Sequence, residues 1–282
     1  MSCRLLWLLV AYGNMSQVDS FVDYLGALPG ANEFGFAMCD NTAVPTASRH
    51  FDKQGTVLIS RPDNPGYLEG ALLAFESWVA EHGYVPDWVV ISNTDLRIET
   101  GNPLDVLSAQ PHSEVPVILA PRITEGAARV EKNPHLVERR SLRRLRHNRI
   151  IASTPLMAML YQSMGVLRLR LGLSRGGPRM NTEEWALRHP PGTKFYSPYG
   201  ATMFFSRSFF SQGGWPRRVP LLAEEYFVAE AAREIGAPVV YEPRIHVHHD
   251  AHTTTGPKIN WQRAKGTSRA FREIYQHARE GS

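Results

Sequence analysis

Polar residues follow an apolar stretch about a third of the way along the chain, and they fit both a chemical role and a simple turn. Residues 88–92, WVVIS, have the character of a buried strand, and Asn93, Thr94 and Asp95 come directly after it. Asn and Asp bond their own backbone and tolerate turn geometry, so a turn is the simplest interpretation. A ligand site is the alternative, and it depends on which other residues lie nearby.

Other strand-like and helical stretches in the first 125 residues predict where those neighbours are. Apolar runs alternate with helical patterns, which indicates a parallel sheet covered by helices. Ligands of such sheets bind beyond the carboxyl ends of the strands. Asn14, Asp40 and Asn41 also follow predicted strands, so we expect them to meet Asn93–Asp95 in one crevice. The predicted strands are 4–11, 34–39, 56–60, 88–92 and 115–120, and the helices are 18–28 and 67–81.

The pattern changes after this half of the chain. Residues 124–194 are basic and helical in character, without clear strand alternation, and they are interpreted as an insertion. A strand and helix pattern returns with a stretch at 195–206, a helix at 222–235, a strand at 238–241 and a polar helix at 261–279.

Composition bounds the class of protein. The 282 residues are 43% hydrophobic and 21% charged, which suits one large α/β domain or two small ones. Two cysteines, Cys3 and Cys39, are too few for a disulfide framework or a zinc site. The apolar start lacks a signal-peptide cleavage site, so a first buried strand is predicted. No run of 18 apolar residues occurs, and a cytosolic protein that touches the inner face of a membrane is expected.

Seven stretches in fixed order resemble the inverting glycosyltransferases of family two, especially rhamnosyltransferase-like members. They are LLVAYGN, FAMCDNT, NPGYLEGALLAF, WVVISNTDL, YGATMFFSRSFF, LLAEEYFVAEAAREIG and VVYEPRIHVHH. The resemblance covers roughly 1–124 and 195–250. It implies the GT-A fold, a Rossmann-like, mostly parallel sheet flanked by helices, here with a basic helical insertion. The expected single domain has a nucleotide-sugar-binding half (1–124), the insertion (125–194), an acceptor and catalytic half (195–259) and a C-terminal helix (260–282).

The resemblance also implies an activity. Such an enzyme would move a sugar, rhamnose being one candidate, from a nucleotide diphosphate sugar to a glycan or lipid-linked hydroxyl in polysaccharide or glycoconjugate biosynthesis. A catalytically silent nucleotide-sugar-binding module on the same fold is the alternative. Nucleic acid is not expected as a partner, because the basic stretch has few interleaved aromatic residues and no known reading motif.

The resemblance assigns nucleotide contacts to the ends of the first two strands. Ala11 and Tyr12, with Asn14 nearby, match the segment that holds the base. Asp40 matches an acidic residue that accepts bonds from the base or the ribose. Packing of Tyr12 at a strand end and a turn-forming Asp40 are the structural alternatives.

A Gly-containing stretch is matched to the diphosphate. Asn64, Gly66 and Gly70 fit a family pattern that opens a helix, where glycine permits close backbone approach and a helix N-terminus favours phosphate. The family usually has Asn where this chain has Leu72 or Leu73. Pro65-Gly66 is also a common turn signal.

The stretch SNTDL matches the family's metal motif. Asp95 is the implied ligand of Mg²⁺ or Mn²⁺, while Asn93 and Thr94 contact the nucleotide sugar. A His of the HVHH run is a further implied ligand, with His248 favoured over His249. Strand alternation places His246 and His248 on one face and His249 on the other. A solvated His cluster is the alternative.

The stretch AEEYF matches the acidic pair at the start of a helix. Its second acid, Glu225, matches the general base that removes the proton from the acceptor hydroxyl, and Glu224 beside it is the other candidate. The structural alternative is that both carboxylates stabilise the helix N-terminus through the macrodipole.

The insertion has two open interpretations. Six arginines lie between Arg139 and Arg149, and leucines follow at 142, 145, 156, 160 and 167. An interfacial helix would place the arginines at anionic headgroups and the leucines below them. The alternative is a helical subdomain that packs against its own core or against a partner chain, including a second copy.

Overall fold

The structure is a computed structural model that describes residues 3–45, 47–51, 55–110, 114–170, 188–219, 222–250 and 261–281. The strands are β1 (Leu5–Ala11), β2 (Phe34–Asp40), β3 (Thr56–Ser60), β4 (Trp88–Ser92), β5 (Leu96–Thr100), β6 (Ile118–Glu125), β7 (Val130–Glu131), β8 (Lys194–Phe195), β9 (Thr202–Ser206) and β10 (Val239–His249). The helices are α1 (Met15–Gly26), α2 (Tyr67–His82), α3 (Pro103–Ser108), α4 (Leu142–Ile151), α5 (Pro155–Arg170), α6 (Arg207–Ser211), α7 (Glu224–Glu234) and α8 (Trp261–Glu280).

The strands form one mixed sheet in the order β3-β2-β1-β4-β9-β6-β10-β5, with β7 beside β6 and β8 beside β10. The prediction of an α/β sheet covered by helices is confirmed. Its parallel part is β3-β2-β1-β4, and β10 is also parallel to β6. β9 runs antiparallel to both β4 and β6, and β5 runs antiparallel to β10.

The central strand β1 shows why the sheet has a core on each face. Its side chains alternate between the faces, as strand geometry requires. Leu6 and Leu8 pack with α2 and α7 in one core, whereas Leu5, Trp7 and Leu9 pack with α1 and α3 in the other. Because both cores exclude water, β1 reads as an unbroken apolar run rather than as a polar and apolar alternation.

The connection from β4 to β5 crosses the carboxyl edge of the sheet. β4 lies beside β9 in the interior, but β5 lies at the far edge, beyond β10. Backbone bonds hold the crossing segment: the Asn93 N–H donates to the Ala201 carbonyl at 2.8 Å, and the Asp250 N–H donates to the Asp95 carbonyl at 3.1 Å. The pairing of Leu96 with His249 then fixes Asp95 at the end of β10.

The basic segment 125–194 is tied to the core by a buried carboxylate. Arg139 donates to both oxygens of Glu230 on α7 at 2.8 and 2.9 Å, and the Tyr196 hydroxyl donates to Glu230 at 2.6 Å. Burial alone would raise the pKa of Glu230, but the donors, with Arg233, lower it to about 2. Its ionised form therefore stabilises the fold above the ordinary glutamate pKa, and this contribution is lost as the pH falls towards 2.

The two helices of this segment pack on α8. Leu145 of α4 is 4% exposed and belongs to the main core, while Ala152 and Ala158 pack with Ala264. The interpretation that Leu145 inserts into a membrane is therefore wrong, because its side chain is buried in the protein, whereas Leu142 is 40% exposed. The side chain of Leu167 lies outside the described residues.

In the part of the chain that the structure covers, no helix combines the length and apolar character that crossing a bilayer requires.

Replacing Arg139 should destabilise the fold, because the buried Glu230 charge would lose an ion-pair partner. We expect Arg139→Met to lower the free energy of unfolding by roughly 3 kcal/mol, because one partner of a buried ion pair is removed while the other stays ionised. Urea denaturation monitored by circular dichroism measures this. Arg233→Met is the matched control, since Arg233 is 44% exposed and its bonds to Glu230 are longer, at 3.1 and 3.3 Å. That change should cost less than about 1 kcal/mol. Equal losses in the two variants would contradict the anchoring role of Arg139.

Candidate functional site

The ends of β1 and β2 lie side by side and carry four of the residues predicted to bind the nucleotide. Ala11 pairs with Asp40 in the parallel register, and both are buried. Tyr12 is 58% exposed, and its N–H donates to the Asn14 side chain at 2.9 Å. Asp40 accepts from the Thr42 N–H at 2.9 Å, which is the turn geometry considered for it. Together these residues form a continuous ledge with an exposed aromatic ring.

The Gly-containing stretch lies next to this ledge. Asn41 donates to the Gly66 carbonyl at 3.1 Å, so the end of β2 is linked to the start of α2. Gly66 has φ of 102°, a conformation that favours glycine. Asn64 is exposed with φ of 48°, which Asn tolerates in a turn. A Cβ on Gly70 would lie 3.3 Å from Cys39 Sγ, so Gly70 serves the packing of α2 on β2.

The metal prediction centres on Asp95, which meets a histidine from β10. His249 Nε2 lies 3.1 Å from Asp95 Oδ1, and His249 Nδ1 lies 3.3 Å from Glu125 Oε1. All three side chains are at most 15% exposed. Burial alone would lower the pKa of His249, but the two carboxylates raise it to about 9. The imidazole thus bridges two carboxylates at the ends of three strands.

Glu125 is held in turn by two further groups. The Tyr199 hydroxyl donates to Glu125 Oε1 at 2.7 Å, and Lys132 forms an ion pair with Glu125. Burial would raise the pKa of Glu125, but contacts with His249, Lys132 and Tyr199 hold it well below the usual range. Glu125 is therefore a charged and fixed partner of the His249 ring.

Two other predicted residues flank this row. The Asn93 amide nitrogen lies 3.4 Å from His249 Nε2, and Thr94 is buried beside it. His248 has its contacts elsewhere: its Nδ1 lies 3.2 Å from Thr124 Oγ1 and its Nε2 lies 3.4 Å from Asp250. His246 also contacts Thr124 Oγ1, so these two histidines share one face of β10. The structure brings His249, rather than the favoured His248, to Asp95.

The acidic pair begins α7. Glu224 is 8% exposed, and one of its oxygens accepts from the Leu222 N–H at 2.8 Å. Leu222 has φ of 83°, a strained conformation for leucine. Burial, and then the charge of Glu225, raise the pKa of Glu224 to about 7. Glu225 is half-buried against Gly200, where a Cβ would lie 2.9 Å from Glu225 Oε1. The absence of a side chain at Gly200 makes room for this carboxylate.

Tyr67, the first residue of α2, lies near both the acidic pair and Asp95. Burial raises the pKa of its hydroxyl well above the ordinary value, and the charges of Glu224, Asp95 and Glu225 raise it further. The hydroxyl is buried and has no hydrogen-bond partner among the described residues. A buried polar atom without a partner is costly in a native protein. A ligand with an acceptor or donor group at this point would satisfy it.

An open cleft of about 610 Å³ adjoins Asp95 on the face of the sheet that α1 covers, opposite the face covered by α2. Gln17, Tyr24 and Arg97 contribute to its lining. Asp95 is therefore reachable by a ligand from the side of α1.

Sequence reasoning missed several residues of this site, namely Tyr67, Glu125, Lys132, Tyr199 and Gly200. Tyr67, Tyr199 and Gly200 lie within the stretches that carry the resemblance, but they were not singled out there. Glu125 ends β6, and its position at a strand end is the signal that would have found it. Nothing local marks Lys132.

The donor set fits a divalent cation in part. Carboxylate and imidazole atoms 3.1 Å apart can share one cation, and the contact of Glu125 with His249 Nδ1 is the usual orientation of a metal-ligating histidine. Over the described ranges, no group of three or more His, Cys, Asp or Glu is arranged as a metal site. The protein would thus offer Asp95 and His249, and the remaining positions would belong to the ligand and water.

The raised pKa of Glu224 predicts a pH-dependent stability. Between about pH 4.5 and 7 the unfolded chain releases the Glu224 proton while the folded chain retains it, so stability falls as the pH rises. Glu224→Gln removes this effect. We expect wild type to lose roughly 2 kcal/mol relative to the variant between about pH 5 and 8. Urea denaturation of both proteins at the two pH values measures the difference. A gap that is the same at both pH values would contradict the buried, protonated state of Glu224.

Known proteins resemble this chain in structure rather than in sequence. No protein-family model and no curated protein sequence matches this chain. Among solved structures, a crystal structure of GalNAc-T7 with UDP, GalNAc and Mn²⁺ matches with a TM-score of 0.53 and 9% identity, covering 90% of this chain and 45% of that chain. This chain thus spans less than half the length of GalNAc-T7.

Two further matches are weaker in structure. The mannosyltransferase PcManGT from Pyrobaculum calidifontis in complex with GDP-Man and Mn²⁺ has a TM-score of 0.46 and 12% identity, covering 90% of this chain and 59% of that one. The catalytic domain of Drosophila beta1,4-galactosyltransferase 7 in complex with xylobiose has a TM-score of 0.40 and 12% identity, covering 91% and 68%. At 9% identity the GalNAc-T7 match shows the fold, and the fold of this chain is GT-A.

Proposed function

We propose that this protein is an inverting glycosyltransferase that uses a nucleotide diphosphate sugar as donor. One observation carries the proposal: Glu225 lies against Gly200, and the carbonyl of the next residue, Ala201, accepts from the Asn93 N–H at 2.8 Å. A carboxylate suited to proton removal therefore lies near the Asn93–Asp95 segment, which is suited to a diphosphate. The GT-A fold and the order of the sequence motifs support the same activity.

Asp95 and His249 are the proposed ligands of a divalent cation, which would displace the proton of His249 Nε2. A bound cation would supply positive charge to the diphosphate as it leaves the sugar. The imidazole favours Mn²⁺ over Mg²⁺, which prefers oxygen ligands. Asn93 adds no charge, and its amide, 3.4 Å from His249 Nε2, can bond a diphosphate oxygen or a water.

Glu225 is the proposed general base. It accepts the proton of the acceptor hydroxyl while that oxygen forms its bond to the anomeric carbon. The bond from the anomeric carbon to the diphosphate oxygen breaks on the opposite side, and its electron pair leaves with the nucleoside diphosphate. Glu225 suits this role better than Glu224, because it is half-buried against Gly200 whereas Glu224 is bonded to the Leu222 backbone.

The ledge at the ends of β1 and β2 is the proposed nucleoside site. The exposed ring of Tyr12 can stack on a base, and the Asp40 carboxylate can accept bonds from the base or the ribose. Gly66, at the N-terminus of α2, lets a diphosphate approach the helix end. The ledge thus leads from the base towards Asp95.

The sugar, the acceptor and the cellular role follow from the sequence resemblance alone. Rhamnose is the proposed sugar, and a glycan or lipid-linked hydroxyl in polysaccharide or glycoconjugate biosynthesis is the proposed acceptor. A cytoplasmic location, peripheral at the inner face of the membrane, would suit such an acceptor. A homo-oligomer is a further open proposal.

A catalytically silent binding module is the second candidate. It is favoured by neutral Asn93 at the first position of the metal motif and by a longer Glu225 where the family usually has Asp. Such a module would bind the nucleotide sugar and leave its glycosidic bond intact. Release of nucleoside diphosphate in the presence of Mn²⁺ separates the two candidates.

Removal of either key carboxylate should nearly abolish transfer. We expect Asp95→Asn and Glu225→Gln each to lower kcat by about a thousandfold, because the first weakens charge neutralisation and the second removes the proton acceptor. A panel of uridine, thymidine and guanosine diphosphate sugars with Mn²⁺ first identifies the donor through the melting temperature, and release of nucleoside diphosphate then measures turnover. The control variants are Asp63→Asn, in an exposed ion pair with Arg61, and Glu234→Gln at the far end of α7.

Each outcome of this experiment is informative. Unchanged turnover in both variants would refute the assigned roles. A donor that raises the melting temperature but is never cleaved, with or without acceptor, would establish the silent module. Retention of the donor's anomeric configuration in the product would refute inversion and leave the metal assignment standing.

Glu125 should control the affinity for metal through His249. We expect Glu125→Gln to weaken Mn²⁺ binding by about tenfold or more, because a neutral amide holds the His249 ring less firmly and makes it a poorer ligand. Electron paramagnetic resonance of Mn²⁺ measures this without turnover, for the metal alone and with UDP, GDP or dTDP. Glu131→Gln is the matched control, since Glu131 is buried nearby but pairs with Arg122. Equal affinities in the two variants would contradict the orienting role of Glu125.

A further inference from the structure

The charges of this protein are separated along the chain. Residues 139–182 contain ten arginines and no Asp or Glu, so the rest of the chain carries a formal net charge of −6. A block of one sign at this density repels itself and attracts a surface of opposite sign. The net charge of +4 for the whole chain conceals this asymmetry.

Four of these arginines are exposed on α4, namely Arg143, Arg144, Arg146 and Arg149. Arg139 is committed to Glu230, and Arg149 lies over the Tyr275 ring at 5.0 Å. Arg143, Arg144 and Arg146 are exposed and form no ion pair with any carboxylate in the described ranges. Because Leu145 anchors the inner side of α4, these side chains extend away from the protein body.

The neighbouring helix α5 exposes an apolar face. At about 100° per residue, five of its large side chains fall within an arc of about 140°. The opposite side faces α8, where the Gln162 amide donates to Thr267 Oγ1 at 2.9 Å and Ala158 is fully buried. The exposed fractions of the five are 58% for Leu156, 45% for Met157, 51% for Leu160, 47% for Tyr161 and 49% for Met164.

We propose that α4 and α5 form a surface that binds an anionic lipid bilayer. Both helices pack on α8 and contact each other, so their exposed sides belong to neighbouring parts of the surface. Arginines of α4 then lie at the headgroups, and the apolar arc of α5 enters the boundary with the acyl chains. This combination distinguishes an interfacial helix from a soluble one, whose apolar side is covered by protein.

Other occupants fit this surface less well. A second copy would bring two blocks of arginines together, and their repulsion opposes dimer formation. A nucleic acid would engage the arginines but would leave Leu156, Leu160 and Met164 in water. An anionic bilayer satisfies both the positive charge and the apolar arc. The proposal stands independently of sugar transfer.

Vesicle flotation of the full chain tests the proposal. The vesicles are phosphatidylcholine alone or mixed with phosphatidylglycerol, at low and high salt. We expect binding to the anionic vesicles only, weakened by salt. Arg143→Gln with Arg146→Gln should reduce partitioning by about 30-fold, and Leu156→Ser with Leu160→Ser by at least about tenfold.

Two control double variants distinguish binding through this surface from non-specific binding to vesicles. Arg272→Gln with Arg279→Gln removes two exposed arginines of α8, and Leu58→Ser with Val115→Ser removes two exposed apolar side chains elsewhere. Both control proteins should bind anionic vesicles as wild type does. Equal losses in the control and test variants would overturn the proposal, and so would an absence of binding by wild type.

Three additional measurements identify a different occupant. Concentration-dependent association in analytical ultracentrifugation that the Leu156→Ser and Leu160→Ser changes abolish would establish a second copy and overturn the proposal. Binding of single-stranded RNA that outcompetes anionic vesicles would do the same for a nucleic acid. A fall of several degrees in the melting temperature of the Leu156→Ser, Leu160→Ser protein would show that this face is packed against protein, whereas an unchanged melting temperature supports the exposed arc.

Discussion

The site depends on one electrostatic constraint: two carboxylates, Asp95 and Glu125, are held on either side of one imidazole. Without His249 they would be two buried like charges at the ends of the two strands that flank β10, an arrangement that costs several kcal/mol in a poorly solvated position. The antiparallel pairing of β5 with β10 brings the first carboxylate to the ring, and the parallel pairing of β6 with β10 brings the second. The same strand pairings therefore determine both the local topology of the sheet and the balance of charge around His249.

Helix α7 shows how one element can carry carboxylates with opposite properties. Glu230 lies among donors and its pKa falls to about 2, whereas Glu224 lies among backbone groups and a like charge, and its pKa rises to about 7. Both are buried, so burial alone does not decide their state. The partners decide it: a cation within hydrogen-bond distance offsets desolvation, and a neighbouring carboxylate adds to it. The structural acid and the candidate catalytic acids are thereby separated within two turns of one helix.

Much of the fold was accessible from the sequence, because its signals are local. Unbroken apolar runs predicted β1 and β4, and helical spacing predicted α2. The polar residues after β1, β2 and β4 were predicted to converge, and the structure places those at the ends of β1 and β2 side by side. Asp95 was identified by its place after β4. These features depend on residues within one strand or one helix and on the general rule for parallel sheets.

The details that escaped prediction depend on contacts between distant segments. Strand alternation correctly separated His246 and His248 from His249, but it could not show which face meets Asp95. The face of β10 that meets Asp95 depends on the pairing of β10 with its neighbours. Their register is irregular, with shifts between Glu242 and His246 and between His246 and Val247. Similarly, Gly70 resembled a phosphate-binding glycine, and only its approach to Cys39 shows a packing role. Arg139 was grouped with the membrane-facing arginines, although Glu230, 91 positions away, withdraws it into the protein.

The ion pair between Arg139 and Glu230 links the basic segment 125–194 to the helix that carries the candidate base, Glu225. Arg139 lies three residues before the start of α4, and its partner Glu230 lies on the same helix as Glu225. The Arg139–Glu230 pair therefore fixes the chain before α4 to the same helix that carries the Glu225 carboxylate. The Tyr196–Glu230 bond and the packing of α4 and α5 on α8 stiffen the same connection. An anionic surface held against α4 and α5 would consequently lie at a fixed distance from Glu225. Such an arrangement suits an acceptor that approaches from that surface, since proton removal tolerates little variation in the distance between base and hydroxyl.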